Sequence, residues 1–259
     1  KSFGNTIIPA ETGELASGLS GEGRMAEPEN IVSFLERDLL EKLPLKGKKI
    51  LITAGPTYEA IDPVRFIGNH SSGKMGFDIA NEAVNKGAEV ILVTGPTHLN
   101  VQNSAIKLIR VTSAQEMFDA CHEFYNSVDV AIAAAAVADY RPKNVAEQKI
   151  KKNEATFSIE LEKTKDILAS LGEQKENQFL IGFALETENE IEHAKQKIQK
   201  KNLDLIVLNS LNDKGAGFGL PTNKVTFISK DFIVEPKELK SKEEVAQDII
   251  NKVIQFYDA

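Results

Sequence analysis

Apolar residues recur along this chain with two alternating periods. Short runs rich in β-branched residues read as buried strands at 49–54 (KILITA), 89–94 (EVILVT), 106–111 (IKLIRV), 128–133, 179–184 and 203–208 (LDLIVL). Helical spacing fills the intervals at 74–86, 113–126, 164–171 and 188–201, and closes the chain at 241–257. Ser113 with Glu116 three residues on reads as a capping box. Two further strands at 224–229 and 232–235 read as an antiparallel pair, and 155–161 alternates as a strand. Strands alternating with helices predict an α/β fold: a doubly wound, mostly parallel, Rossmann-like sheet with a small antiparallel extension. In such sheets ligands lie outside the carboxyl ends of the strands, so the loops after residues 54, 94 and 134 are expected to share one crevice.

The first thirty residues interrupt this pattern. Gly4, Gly13, Gly18, Gly21, Gly23, Pro9 and Pro28 predict a loop rather than a packed unit. An amphipathic helix follows at 31–43, with Ile31, Phe34, Leu35 and Leu39 on one face and Pro44 and Gly47 closing it. Residue 1 is Lys, and the expectation is a fragment or processed product lacking its natural N-terminal part.

Composition narrows the options. At 259 residues and 42% hydrophobic the chain can bury a full core. One cysteine, Cys121, allows no internal disulfide framework and fits a reducing cytosol, so a cytoplasmic location is expected. Four scattered histidines make no metal cluster, no apolar run approaches the roughly twenty residues of a membrane span, and no signal-peptide pattern is present. A net charge of −7 disfavours nucleic acid, so a polyanion site must be a local basic cluster.

Residues 61–76, IDPVRFIGNHSSGKMG, carry the densest set of donors: Arg65, Asn69, His70, Ser71, Ser72 and Lys74. A polar, glycine-containing loop between strand and helix is a layout that binds phosphates, because freed backbone N–H groups and a helix N-terminus point at the anion. The spacing Gly68 to Gly73-Lys74 approaches a P-loop, but Met75 stands where Ser or Thr would hold Mg²⁺. The glycine-rich dinucleotide fingerprint is absent, since Gly55 stands alone after the first strand. Serine capping of the next helix accounts for Ser71 and Ser72 but not for Arg65, Asn69 and His70. A second stretch, 133–140 (AAAAVADY), has side chains small enough for a ligand ring to reach the backbone, or for helices to pack tightly. Asp139 could hold Mg²⁺ or cap a turn. Three basic groups, Arg65 with Lys74, Lys149 to Lys152, and Lys197 to Lys201, are expected to border one crevice, where a nucleoside triphosphate with Mg²⁺ would use them. No Ser-His-Asp order, reactive cysteine or carboxylate pair is evident, which favours positioning and charge stabilisation.

From about residue 48 to 230 these motifs, with KIKK (149–152), GFALET (182–187) and KKNLDLIVLN (200–209), resemble bacterial phosphopantothenate–cysteine ligase. Residues 9–29 resemble the closing loop of phosphopantothenoylcysteine decarboxylase, the flavoprotein usually fused ahead of it. The resemblance implies a tail and linker over 1–45 and a ligase domain over 46–259. It implies that 4′-phosphopantothenate attacks CTP to give an acyl-cytidylate and pyrophosphate, and that cysteine then displaces CMP. By motif position, Asn69 would support the second half-reaction, Arg65 would lie beside it, and Lys149 would assist the first. Asp139 would help hold Mg²⁺. Ala135, Ala136, Ala138 and Phe183 would frame the base, and Gly55, Ser71, Ser72, Gly73, Lys74, Lys197, Lys201 and Asn209 would complete the nucleotide site. A homodimer through 224–235 is implied, with no nucleic-acid or membrane partner. FMN would belong only to the absent decarboxylase part. The decarboxylase loop of the family carries a catalytic cysteine where 15–24 offers Ser17 and Ser20, so no decarboxylase activity is expected here. CTP preference is inherited from the bacterial look of AAAAVADY, since eukaryotic relatives prefer ATP. The competing expectation is a nucleotide-binding module of a flavoprotein whose catalysis lies on the missing N-terminal part.

Overall fold

A computed structural model describes residues 5–14, 18–151, 157–210, 217 and 219–258. Gly4, Ser17 and Lys152, singled out above, lie outside them. The chain divides into two compact units, Lys1–Lys46 and Gly47–Ala259.

In the first unit β1 (Glu11–Glu14) and β2 (Ser20–Arg24) pair antiparallel, with a bulge between Glu11 and Thr12. This corrects the expectation of a plain loop. Ladder bonds between backbones need no apolar alternation, so glycines and polar residues pair here without the pattern that announces a strand. Helix α1 (Pro28–Glu41) begins with Pro at its first turn, where the missing N–H is no loss. None of its residues is buried, and Val32, Leu35, Leu39 and Leu40 are exposed.

The second unit opens with β3 (Lys49–Ala54), of which all but Lys49 is buried. A short hairpin, β4 (Tyr58–Ala60) and β5 (Phe66–Gly68), precedes α2 (Lys74–Asn85) and β6 (Glu89–Thr94). Then come β7 (Ile106–Arg110), α3 (Ala114–Tyr125) and β8 (Val130–Ala133), with a small pair, β9 (Tyr140–Pro142) and β10 (Leu161–Lys163), beyond them. Next are α4 (Ile167–Gln174), β11 (Phe179–Glu186), α5 (Glu190–Lys200) and β12 (Leu205–Ser210). The chain ends with β13 (Thr222–Asn223), β14 (Val225–Ser229), β15 (Val234–Pro236), β16 (Lys240–Ser241) and α6 (Lys242–Asp258).

Eight strands form one sheet in the order β15-β14-β12-β11-β8-β3-β6-β7. The six from β7 to β12 run parallel, and β14 and β15 join antiparallel, giving the Rossmann-like sheet with its antiparallel extension. The strand period of two splits the core. Leu51, Ala131, Leu180 and Ile206 face Met117, Tyr125, Leu171 and Ile198 of α3, α4 and α5. On the other face α2 packs on β3 and β6 and against α6. Cys121 is fully buried in the first of these layers, and burial pushes its thiol up to about 12. The capping box at Ser113 and Glu116 forms as predicted. Among the described residues no helix is long and apolar enough to cross a membrane.

Hydrogen-bond partners, not alternation, move several boundaries. The strand expected over 155–161 is absent from its described part 157–160; pairing runs over Leu161–Lys163, opposite Tyr140–Pro142 of β9. The helix expected from 164 begins at Ile167, where the Asp166 carboxylate accepts from the Ala169 N–H at 3.0 Å as N-cap.

One glycine sets the seat of α2. A Cβ on Gly76 would lie 2.5 Å from Ala54 Cβ and 3.0 Å from the Thr53 carbonyl, so the first turn of α2 rests directly on the end of β3. Gly76→Ala is expected to destabilise the fold by about 1–3 kcal/mol through overpacking, read as a lower urea midpoint with unchanged slope. An unaltered midpoint would show that the two backbones separate without penalty.

Candidate functional site

The sheet reverses its winding between β3 and β8, and their carboxyl ends are stitched together. Ala135 N–H donates to Thr53 Oγ1 at 3.1 Å, Ala136 N–H to the Gly55 carbonyl at 2.8 Å, and Ala138 N–H to Thr57 Oγ1 at 3.0 Å. The Asn69 amide donates to the Ala136 and Val137 carbonyls at 2.9 and 3.1 Å, and Thr164 Oγ1 donates to the Ala138 carbonyl at 2.6 Å. Most polar backbone groups of the alanine turn are therefore spent inside the protein. What the turn offers a ligand is chiefly a shallow methyl floor, with the Val137 N–H outside this network.

A cavity of about 700 Å³ opens above this floor. One wall is residues 71–76. Gly73, at φ +84°, is the N-cap of α2, and a Cβ there would sit 3.4 Å from Gly55 Cα, so glycine serves both the backbone angle and the approach. No side chain caps the helix in the usual way; the Ser71 and Ser72 hydroxyls accept from the Gly73 and Lys74 N–H groups at 3.3 and 3.4 Å. The N–H groups of Met75 and Gly76, in the first turn, have no intrahelical acceptor and border the cavity. The loop after Thr94, expected at the rim, instead braces this wall from behind. Thr97 Oγ1 donates to the Ser72 carbonyl at 2.8 Å, and Gly95 packs against Pro56.

The far wall is built by Lys163, Lys165 and the start of α4, with Phe183, Lys197, Lys201 and Asn209. Two of its lysines have carboxylate partners. Lys197 is ion-paired with Glu186, and Lys201 with Asp166 at 2.8 Å. Burial alone would raise the Asp166 pKa, but hydrogen bonds from Lys201 and the Ala169 N–H overcome it and hold the carboxylate below its ordinary range. On the near wall Lys74 pairs with Asp78 at 2.9 Å and Glu243 at 2.6 Å, and these bonds outweigh burial and raise its pKa. Asp139 lines the cavity, and its carbonyl accepts from Thr164 N–H at 3.0 Å.

Asn69, Ser71, Ser72, Gly73, Lys74, Ala135, Ala136, Asp139, Phe183, Lys197, Lys201 and Asn209 thus converge on one cavity. Gly55 and Ala138 lie buried behind its wall. The expectation that all three basic groups border the crevice is corrected: Arg65 and the exposed Lys149 and Lys151 are not in the wall. Arg65 is drawn away by Asp62, whose buried carboxylate accepts from its side chain, from the Val64 and Arg65 N–H groups and from the Ile150 N–H at 3.1 Å. Arg65 also donates to the Ile150 carbonyl at 3.1 Å. The pair therefore fixes the segment that carries Lys149. Lys163, Thr164, Lys165, Asp166, Asn223 and Lys242 were not anticipated in the wall. The run Lys163-Thr164-Lys165-Asp166 before an apolar stretch is legible as a basic turn ending in an Asp N-cap; Lys242 and Asn223 arrive from distant chain and carry no local signal. Among the described residues no group of three His, Cys, Asp or Glu could hold a metal. Asp139 and Asp166 are single carboxylates on the wall, and Asp166 is already engaged by Lys201 and the Ala169 N–H.

A methyl-floored cavity at the winding reversal, walled by a helix N-terminus and lysines, defines a Rossmann-like α/β protein with a basic crevice at its switch point. Residues 45–257 match the model of the DNA/pantothenate metabolism flavoprotein C-terminal domain, and the chain belongs to that family. It is 45% identical to the coenzyme A biosynthesis bifunctional protein CoaBC of Bacillus subtilis, over 96% of this chain and 62% of that protein. It is 52% identical to a cysteine/cysteine sulfinic acid decarboxylase of an unknown prokaryotic organism, over 98% of this chain and 72% of that protein. Among solved structures it resembles the C-terminal domain of CoaBC at 48% identity and a TM-score of 0.72, covering 84% of this chain and 99% of that one.

The Arg65 guanidinium, with its hydrogen bonds, holds the Asp62 carboxyl well below the usual carboxylate range, against the opposing effect of burial. A depressed folded pKa stabilises above the unfolded value and is lost as pH falls through the folded one. Asp62→Asn is expected to lower the thermal midpoint at pH 7, because an amide nitrogen would face N–H donors. The gap to the parent should narrow as pH drops below 3.8. A gap independent of pH would remove the ionised carboxylate from the account.

Proposed function

We propose that the chain is the ligase part of a coenzyme A-forming protein, joining 4′-phosphopantothenate to cysteine with CTP through an acyl-cytidylate. The observation that carries this reading is the cavity: a bare helix N-terminus, two serines and lysines on both walls face each other across an alanine floor, in a family whose relatives include proteins named for coenzyme A biosynthesis. The chain spans 62% of the length of the Bacillus subtilis relative.

In this reading the α2 N-terminus, Ser71, Ser72 and Gly73 receive phosphate oxygens, and the methyl floor with Phe183 accepts the flat base. Lys197 and Lys201 reach the nucleotide by exchanging Glu186 and Asp166 for phosphate, a swap of one charge-assisted bond for another. Asp139 helps hold a Mg²⁺ that arrives with CTP and neutralises its charge. The pantothenate carboxylate attacks the α-phosphorus and pyrophosphate leaves. Asn69, pinned to the alanine turn, presents an amide beside the acyl group without moving a proton, and the cysteine amine then displaces CMP. Lys149, carried on the segment that Asp62 and Arg65 fix, completes charge neutralisation in the first step. The protein acts in the cytoplasm as a homodimer through β14 and β15.

The test is pyrophosphate release by the purified chain with 4′-phosphopantothenate, Mg²⁺ and CTP or ATP, with and without cysteine. Release with CTP, and amide only when cysteine is present, is the expected result; chelating the metal should abolish both. Release with ATP alone would overturn the base assignment. No release from a folded sample would favour a binding module. Asn69→Asp should leave pyrophosphate release largely intact and depress amide formation about a hundredfold, the scale of losing one positioned donor. Lys149→Gln should suppress release itself, and unchanged release would take Lys149 out of the site.

A further inference from the structure

Lys242 is the first residue of α6, comes from the far end of the sequence and lines the same cavity as residues 71–76. It is 6% exposed, an unusual place for a lysine. Its ammonium donates to the Gly217 carbonyl at 3.3 Å, and no carboxylate among the described residues lies within ion-pair distance of it. Every other lysine discussed on the near wall has such a partner: Lys74 takes both Asp78 and Glu243. The α2 and α6 helices pack side by side, so two ammonium groups share the neighbourhood of one buried carboxylate. Burial pushes the Lys242 pKa down, Asp78 draws it back up, and Lys74 pushes it down again. A buried cation with a single weak acceptor is destabilising unless an anion completes its shell. The open N–H groups at the start of α2 line that cavity too.

We propose that Lys242 is a polyphosphate-binding residue, which with Lys74 and the α2 N-terminus receives the terminal two phosphates of a nucleoside triphosphate and holds them as they leave as pyrophosphate. The inference rests on the nucleotide-dependent reading above and deepens it. It divides the cavity between two basic poles. Lys197 and Lys201, each matched by its own carboxylate, form the pole on the α4 and α5 side. Lys242, without one, forms the pole on the α2 and α6 side. Glu243 is the competing anion on this second pole: it holds Lys74 from an exposed position and is displaced when phosphate arrives.

Inorganic pyrophosphate is the probe, titrated calorimetrically into the full chain alongside CTP and CMP. Lys242→Met is expected to weaken pyrophosphate and CTP binding by about tenfold or more while leaving CMP within about twofold. Glu243→Gln, an exposed change with little folding hazard, is expected to tighten pyrophosphate binding severalfold, and it decides the matter if the Met variant fails to fold. Unchanged pyrophosphate affinity in Lys242→Met, or an equal loss for CTP and CMP, would overturn the assignment. So would weaker or unchanged pyrophosphate binding in Glu243→Gln, or a folded parent that binds no pyrophosphate. Lysine-dependent pyrophosphate binding without turnover of CTP would sustain the subsite and sink the ligase reading, so the two failures are distinguishable.

Discussion

Between β3 and β8 two parallel neighbours send their chains away to opposite faces of the sheet, and the gap that opens must be closed without filling it. The protein closes it with backbone N–H groups that meet two threonine hydroxyls and one carbonyl. Thr53, Gly55 and Thr57 on one side meet Ala135, Ala136 and Ala138 on the other through hydrogen bonds of 2.8 to 3.1 Å. This seam fixes the floor of the cavity, the height at which Asn69 bridges, and the angle at which α2 starts. A larger residue at any of these points would separate the strands or fill the cavity.

Electrostatics is organised around that floor in matched pairs. An acidic chain builds a basic cavity in which three of the wall lysines have local carboxylate partners, which limits the positive field exposed before a ligand arrives. Glu186 serves Lys197, Asp166 serves Lys201, and Asp78 with Glu243 serves Lys74. Such pairs contribute little to stability where they are solvent-exposed. Their consequence is directional: they keep long side chains oriented across the opening, and they make anion binding an exchange of partners.

The parallel sheet was legible because its strands are short, apolar and bounded by turn residues, and because helices of clear period separate them. The loop at 61–76 and the alanine run were legible as a site because donors and small residues were concentrated there beyond what packing needs. Other features had no such signature. The β1 and β2 pair is held by backbone bonds between polar residues. The β9 and β10 pair depends on a partner some twenty residues away, so the alternation at 157–160 pointed to the wrong stretch. Arg65 read as a phosphate ligand because its charge was visible and its buried partner Asp62 was not. Lys242 could be recognised only once α6 was seen beside α2, since one lysine at a helix start is unremarkable in sequence.

The burial of Cys121 makes the native chain behave toward thiol reagents as though it had no cysteine at all. Its sulfur lies in the closed layer beneath α3, protonated across the whole range in which such reagents are used. A cysteine introduced on the surface could therefore carry a spectroscopic label without any prior replacement. Left alone, the native thiol is a clock for the interior: the rate at which a small disulfide reagent modifies it measures how often that layer opens to solvent.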